Sequence, residues 1–275
     1  MFYRFRIGAM DATIVSDGPL LLPRASRIFS GPDEAAMGAV LGGGVAAREK
    51  VRVEQNCLLL ETAGKRVLFD NGMGSSKLYG PDSGRLPDSL AAAGIDPASI
   101  DALVLTHAHS DHCWGTMRDD GVPNFPNATI YMAQAELAYW ESDPPGERRE
   151  TSLAGVRRQL LPLRQRIVLL RDGQEFLPGV QAWATPGHTP GHMAYLFAGN
   201  WCLAGDVAFH DPLSFAFPEA SSAFDVDPTE AAATRLRWLG RLADEKLMVI
   251  GYHYPWPGLG HIERAGTAFR FVGAH

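Results

Sequence analysis

The stretch Thr106-His107-Ala108-His109-Ser110-Asp111-His112 places three imidazoles and a carboxylate in adjoining positions, a concentration of metal-binding side chains. In extended backbone, residues two apart face the same way, so His107 and His109 can converge on one ion. The turn that follows carries Asp111 and His112 toward a neighbouring position, so two adjacent cation sites are within geometric reach. A lone histidine is usually a satisfied core or surface group. Four polar groups beside an apolar strand are different, because burying them is costly unless a divalent cation organises them.

Three further candidates lie downstream, each in a loop marked by glycine or proline. They are His188 in Thr185-Pro186-Gly187-His188-Thr189-Pro190-Gly191-His192, Asp206 in Leu203-Ala204-Gly205-Asp206, and His253 in Val249-Ile250-Gly251-Tyr252-His253. Singly, each has a bland reading as a turn cap or a local backbone acceptor. Together they complete a ligand set. Two divalent ions sharing a water lower its pKa from ~16 toward neutrality and make hydroxide available as a nucleophile. The same ions polarise a carbonyl or phosphoryl oxygen, so hydrolysis needs no serine or cysteine nucleophile. Asp111 and Asp206 are the candidate catalytic carboxylates, holding the hydroxide and relaying a proton to the leaving group.

The elements that must position these residues read as strands first. Phe5 to Ser16, Cys57 to Thr62 and Arg66 to Phe69 are strand-like, with Ala63-Gly64-Lys65 as a tight turn in an antiparallel meander. Residues 17 to 50, with the Gly42-Gly43-Gly44 run, read as a long irregular excursion. A short helix over Ser89 to Ala93 precedes the almost wholly apolar Ala102 to Leu105, a strand expected to be covered on both faces. A strand (Thr129 to Met132), a helix (Gln134 to Trp140) and a helical region (Ser152 to Gln165) follow. Strand groups around Val180 to Ala184 and Tyr195 to Leu203 lead to a long helix from Pro228 to Asp244 and a strand from Leu247 to Ile250. Strands then helix recur in each half without a linker. That predicts an α/β chain with two sheets and outer helices, in one domain over residues 1–275.

His-x-His-x-Asp-His followed by a distant His, Asp and His resembles the metallo-β-lactamase superfamily, which implies an αββα sandwich of two mixed sheets flanked by helices. Ser16-Asp17-Gly18, Asp70-Asn71-Gly72, Leu78-Tyr79-Gly80-Pro81 and the tail Pro257 to Ile262 with Phe269 to Val272 resemble the methyl parathion hydrolase branch. The resemblance implies one metal held by His107, His109 and His188, a second by Asp111, His112 and His253, and Asp206 bridging them. Two divalent ions are expected, zinc foremost, with manganese, cobalt or iron as the other candidates. Tyr79 and Trp140 match positions where the family places aromatic pocket walls. Tyr254 and Trp256 flank His253, so Trp256 joins them as a candidate substrate contact. Phe209 is a fourth: quorum-signal lactonases of the superfamily carry tyrosine three residues after the bridging aspartate, and this chain has Phe209 there.

Aromatic walls favour uncharged substrates. The expected function is therefore hydrolysis of uncharged esters with good leaving groups: aryl esters, lactones or organophosphate triesters. The alternatives are an acyl-homoserine lactonase, an iron-dependent redox enzyme and a nuclease on the same fold. Lys plus Arg total 25 against 31 acids, a net charge of −6 with no basic run, which argues against nucleic acid as a partner. No segment has the ~18 apolar residues of a membrane span, so no membrane partner is expected. Cys57, Cys113 and Cys202 are too few and too scattered for a disulfide framework. With no secretory signal at the start, a cytoplasmic location is expected, and export cannot be carried over from the resembled branch. A small-molecule substrate and a homodimer, the latter implied by the resembled hydrolases, complete the expected partners. His192 and His261 stand between structural and ligand-orienting roles. His210 and His275 read as bystanders, and Cys113 as a small buried hydrophobe.

Overall fold

In the computed structural model, which describes residues 1–42, 49–142 and 147–274, the N-terminal alternation folds as a hairpin of β1 (Phe2–Ile7) and β2 (Met10–Ser16). The single strand expected over Phe5 to Ser16 is thereby corrected. Gly8, at φ +57°, reverses the chain at a point where alternation alone reads straight on. The excursion that follows is more ordered than its glycine and proline content predicts. It contains β3 (Leu20–Leu22), α1 (Ala25–Ile28), β4 (Phe29–Ser30) and α2 (Glu34–Val40), then β5 (Val51–Val53). These short elements cover their own apolar cluster of Leu20, Ile28, Phe29, Met37 and Val53, which Phe209 and Leu213 join. Gly43, Gly44 and His275 lie outside the described residues.

The first sheet is completed by β6 (Asn56–Thr62), β7 (Lys65–Phe69), β8 (Ala102–Val104), β9 (Thr129–Ala133) and β10 (Ile167–Leu170), in the order β1-β2-β6-β7-β8-β9-β10. Pairing is antiparallel from β1 to β7 and parallel from β7 to β10. Helices α3 (Leu86–Ala92), α4 (Ser110–Cys113), α5 (Gln134–Glu141) and α6 (Glu147–Leu160) fall between these strands. The second sheet runs β11 (Glu175–Leu177), β12 (Val180–Ala184), β13 (Met193–Phe197), β14 (Trp201–Leu203), β16 (Met248–Ile250), β17 (Leu259–Ala265) and β18 (Ala268–Gly273). Inserted among them are α7 (Leu213–Ala216), β15 (Ser221–Ser222) and α8 (Pro228–Asp244). The pair β14 and β16 is parallel, so this sheet is mixed too. The stretch from Tyr195 to Leu203 divides into β13 and β14, with Asn200 at φ +64° in the turn.

The period of two along each strand decides which core each side chain joins. Leu58 and Leu60 of β6 face inward with Val67, Phe69 and Val104 and meet Ala182, Tyr195, Leu203 and Ile250 of the other sheet. Their neighbours Cys57 and Leu59 face outward against Leu86 and Leu90 of α3. On the far side Ala194, Cys202 and Val249 pack under Trp238, Leu239 and Leu242 of α8. This is the αββα sandwich. All three residues of β8 are buried, as an uninterrupted apolar strand requires. Among the described residues no helix is long and apolar enough to cross a membrane.

Asp17 ties the excursion to the sandwich. Its buried carboxylate accepts the backbone N–H groups of Met73 (2.9 Å), Gly84 (3.1 Å) and Leu86 (2.8 Å). Asp17→Ala leaves those donors unmet and is expected to cost about 3 kcal/mol, measurable as a lower urea midpoint. A midpoint equal to wild type would remove this anchoring role.

Candidate metal centre

The site gathers at the carboxyl ends of strands from both sheets. The His107–His112 segment follows β8, Asp206 follows β14 and His253 follows β16, while His188 sits in the loop between β12 and β13. Asp206 can enter the site because Gly205, at φ +52°, turns the chain within reach of His192; a Cβ there would lie 2.6 Å from the His192 ring.

All seven predicted ligands converge. The inward nitrogens of His107 and His109 are 2.9 Å apart, and those of His109 and His188 are also 2.9 Å apart. On the other side His253 Nε2 is 3.2 Å from Asp111 Oδ2, and His112 Nε2 is 3.7 Å from the same oxygen. Asp206 stands between the two groups. Its Oδ2 is 3.3 Å from His188 Nε2 and 3.5 Å from His253 Nε2, and its Oδ1 is 3.4 Å from His112 Nε2. Three sets could each hold a cation: His107, His109 and His188; His107, His112 and Asp206; Asp111, His112 and His253.

The rings are held from behind. His112 Nδ1–H donates to Asp70 (2.8 Å), His188 Nδ1–H to Asp225 (2.9 Å) and His253 Nδ1–H to the Glu54 carbonyl (2.7 Å). Each bond holds a proton on Nδ1, so that when the ring is neutral its Nε2 lone pair is the one turned inward. Asp70 also accepts from the backbone and hydroxyl of Thr106, both at 2.8 Å. His192 accepts the Asp206 N–H on Nε2 (2.9 Å) while its Nδ1 meets the Thr185 hydroxyl (2.7 Å), so it orients the segment carrying Asp206. Sequence reading missed the roles of Asp70 and Asp225. For Asp70 a signal existed, since a carboxylate directly after the buried strand β7 needs partners; Asp225 lies in a loop with none.

The donor set fits a divalent cation. His112 Nε2 and Asp206 Oδ1 are both buried without a hydrogen-bond partner, a costly condition that an ion relieves. Charge distribution points the same way. Burial, aided by His112 and His109, pushes His107 far below the usual imidazole range, and burial with His188 takes His109 to about 3. At His188 burial is overcome by Asp206 and Asp225, which raise it to about 9; at His253 it is overcome by Asp206 and Asp111, again to about 9. Against burial, His253 and His112 hold Asp206 well below the carboxylate range, and His112 and His253 take Asp111 to about 2.

Beside the ligands lies a cavity of about 620 Å³ whose lining includes Leu22, Ile28, Tyr79, Trp114, Tyr139, Trp140, Phe209 and Phe224. Tyr79, Trp140 and Phe209 are thus at the cavity. Phe209 is stacked on Phe29 with ring centroids 5.2 Å apart and is edge-on to Phe224 at 5.8 Å. Trp256 is not at the cavity: the turn closed by the Gly258 N–H on the Pro255 carbonyl (2.8 Å) sets it against the core between the sheets. Its neighbour Tyr254 is fully buried beside Phe215 and Phe271. His210 is buried edge-on to Phe29, outside the ligand cluster, and His261 pairs with Glu263. Cys113 is buried with its thiol on the Ala108 carbonyl.

A sequence profile of the metallo-beta-lactamase superfamily matches residues 51–262. An N-acyl homoserine lactonase from a Bacillus species is 28% identical over 158 residues, covering 51% of this chain and 56% of the relative. A probable polyketide biosynthesis zinc-dependent hydrolase, BaeB of Bacillus velezensis, is 27% identical over 145 residues, covering 52% of each. The chain spans about half the length of these relatives. Among solved structures, the hydrolase AbOPH of the beta lactamase superfamily superposes with TM-score 0.90 at 26% identity over 100% of this chain and 97% of its own. AidC, a dizinc quorum-quenching lactonase, superposes with TM-score 0.91 at 25% identity over the same shares.

Imidazoles must be neutral to ligate, yet His188 and His253 keep protons up to about pH 9. Titrating cobalt(II) into metal-free protein at neutral pH is therefore expected to release protons, with affinity rising as the pH approaches 9. Calorimetry in buffers of different ionisation enthalpy measures the release; none, with a flat affinity profile, contradicts the assignment.

Proposed function

The chain belongs to the metallo-beta-lactamase superfamily; from that premise we propose a metal-dependent hydrolase, a dinuclear enzyme cleaving uncharged esters with good leaving groups. Aryl esters, lactones and organophosphate triesters make up the proposed substrate class. Residues 1–275 act as one domain, and the buried, unpaired Cys57, Cys113 and Cys202 suit work in the cytoplasm. The observation that carries this reading is the aromatic cavity at the seven converging ligands.

Two divalent ions, zinc foremost, held by His107, His109 and His188, by Asp111, His112 and His253, and by Asp206 between them, would supply Lewis acidity and an acidified water. The chain's own residues do the rest. Asp206, kept ionised by His253 and His112, holds the centre of the site. Asp111 and Asp206 both line the cavity, and one of these two carboxylates relays a proton to the departing oxygen. Tyr79, Trp140 and Phe209 exclude water and take up the apolar part of the substrate. Phe209 offers no hydrogen bond to a poor leaving group, which favours substrates whose leaving group needs none.

A second reading, acyl-homoserine lactone hydrolysis, is favoured by the relatives of that activity. It predicts that lactones are turned over well without a phenol at position 209. Phe209→Tyr discriminates: the proposal expects the lactone-to-aryl-ester ratio of kcat/KM to rise by up to ~10-fold, one hydrogen bond's worth. An unchanged ratio counts against any role for this position in leaving-group choice.

The general test is a panel of aryl esters, lactones, β-lactams and phosphotriesters on metal-replete protein before and after chelation. Chelation is expected to abolish turnover and readdition of zinc to restore it. His109→Ala and Asp206→Ala, folded by circular dichroism, are expected to lose at least ~100-fold in kcat/KM. Full activity in both variants overturns the proposal.

A further inference from the structure

Glu136, in the first turn of α5, is fully buried, ligates nothing in the cluster and saturates its carboxylate with four donors from three parts of the site. Its Oε1 accepts the Ala108 N–H at 2.8 Å and the Trp140 Nε1–H at 2.7 Å. Oε2 accepts the Thr189 hydroxyl at 2.6 Å and the Gly191 N–H at 3.1 Å. Ala108 separates the ligands His107 and His109, and Thr189 directly follows the ligand His188. Trp140 is the cavity wall whose ring lies 6.0 Å from that of His109. The approach is tight enough to exclude a side chain: a Cβ on Gly191 would lie 2.0 Å from the Glu136 backbone nitrogen.

We infer that Glu136 is a positioning residue that spaces the His107–His109 loop from the His188 loop and sets the Trp140 wall against both, coupling metal retention to recognition of the substrate's apolar group. The inference rests on the two-metal reading of the site. An ionised carboxylate is acceptor-only and has room for four donors, and Glu136 uses all of that capacity. An amide of the same shape cannot. Whichever way a glutamine is turned, its NH2 faces a pair of these donors, with the Ala108 and Trp140 N–H groups on one side or the Gly191 N–H on the other. The loops must then separate or leave buried donors unmet.

The test is cobalt(II) binding to the metal-free protein, followed by the d–d absorption spectrum and kinetics on an aryl ester. Glu136→Gln is expected to bind cobalt ~10-fold or more weakly, with shifted d–d bands and a raised KM, since outer partners of metal ligands carry effects of that size. Trp140→Phe removes the wall's bond to Glu136 and part of its ring surface, and leaves the Ala108, Thr189 and Gly191 bonds of the ligand loops in place. It is expected to keep wild-type cobalt affinity and spectrum while raising KM. Should Glu136→Gln not fold, Thr189→Val takes its place, removing one donor, with an expected ~3-fold loss of cobalt affinity that Thr189→Ser restores. Wild-type affinity and spectrum in Glu136→Gln, or in Thr189→Val where that is the usable variant, overturn the inference alone. No cobalt uptake by the wild type overturns both the inference and the two-metal reading beneath it.

Discussion

At the centre of this molecule an imidazole nitrogen and a carboxylate oxygen, His112 Nε2 and Asp206 Oδ1, lie 3.4 Å apart, buried and without hydrogen-bond partners. Groups of this kind are expensive to strand away from water, and a divalent cation between them relieves the cost. The surrounding architecture is organised around that condition. Carboxyl ends of β8, β14 and β16 deliver ligands from two different sheets, so the site exists only when the sandwich has closed. Asp70, Asp225 and the Glu54 carbonyl then hold three rings by their outer nitrogens, which leaves the inner lone pairs directed at one another.

The supporting carboxylates divide the labour by location. Asp70 binds Thr106 and His112 within the first ligand loop. Asp225 links His188 to the buried Arg235 of α8, which also donates to the carbonyls of Val207, Pro218 and Ala220 and so fixes the segment bearing Phe209 and Phe224. Glu136 reaches across both ligand loops. The aromatic wall and the ligand cluster are thus parts of one hydrogen-bonded body, and a cavity of this kind imposes shape on a substrate as firmly as the ligands impose chemistry.

The seven candidate ligands were legible in the sequence because their signals are local: histidines at fixed short spacing after an apolar strand, and a glycine within two residues of each downstream candidate. The helix Pro228–Asp244 was legible to the residue, since Asp227 caps it, Pro228 opens it and its apolar face repeats at helical spacing. Other features depend on contacts far apart in the chain. Trp256 lies three residues from His253 in the sequence, yet Trp140 is turned by its bond to Glu136 while Trp256 is turned by a proline-rich bend toward the inter-sheet core. The order within residues 17–50 was hidden for the same reason, because β4 finds its partner in β15, nearly two hundred residues away. Asp225 and Glu136 carry no local motif at all, and only the folded chain places them against the ligand loops.

The central claim is that the seven side chains enclose a pair of cations. Anomalous diffraction at the zinc edge, from crystals of protein purified without chelator, tests it most directly. The account predicts two peaks ~3.5 Å apart with Asp206 between them, one facing His107, His109 and His188 and the other Asp111, His112 and His253. Data showing no anomalous density at these residues, with zinc or after soaking in cobalt or manganese, would contradict it.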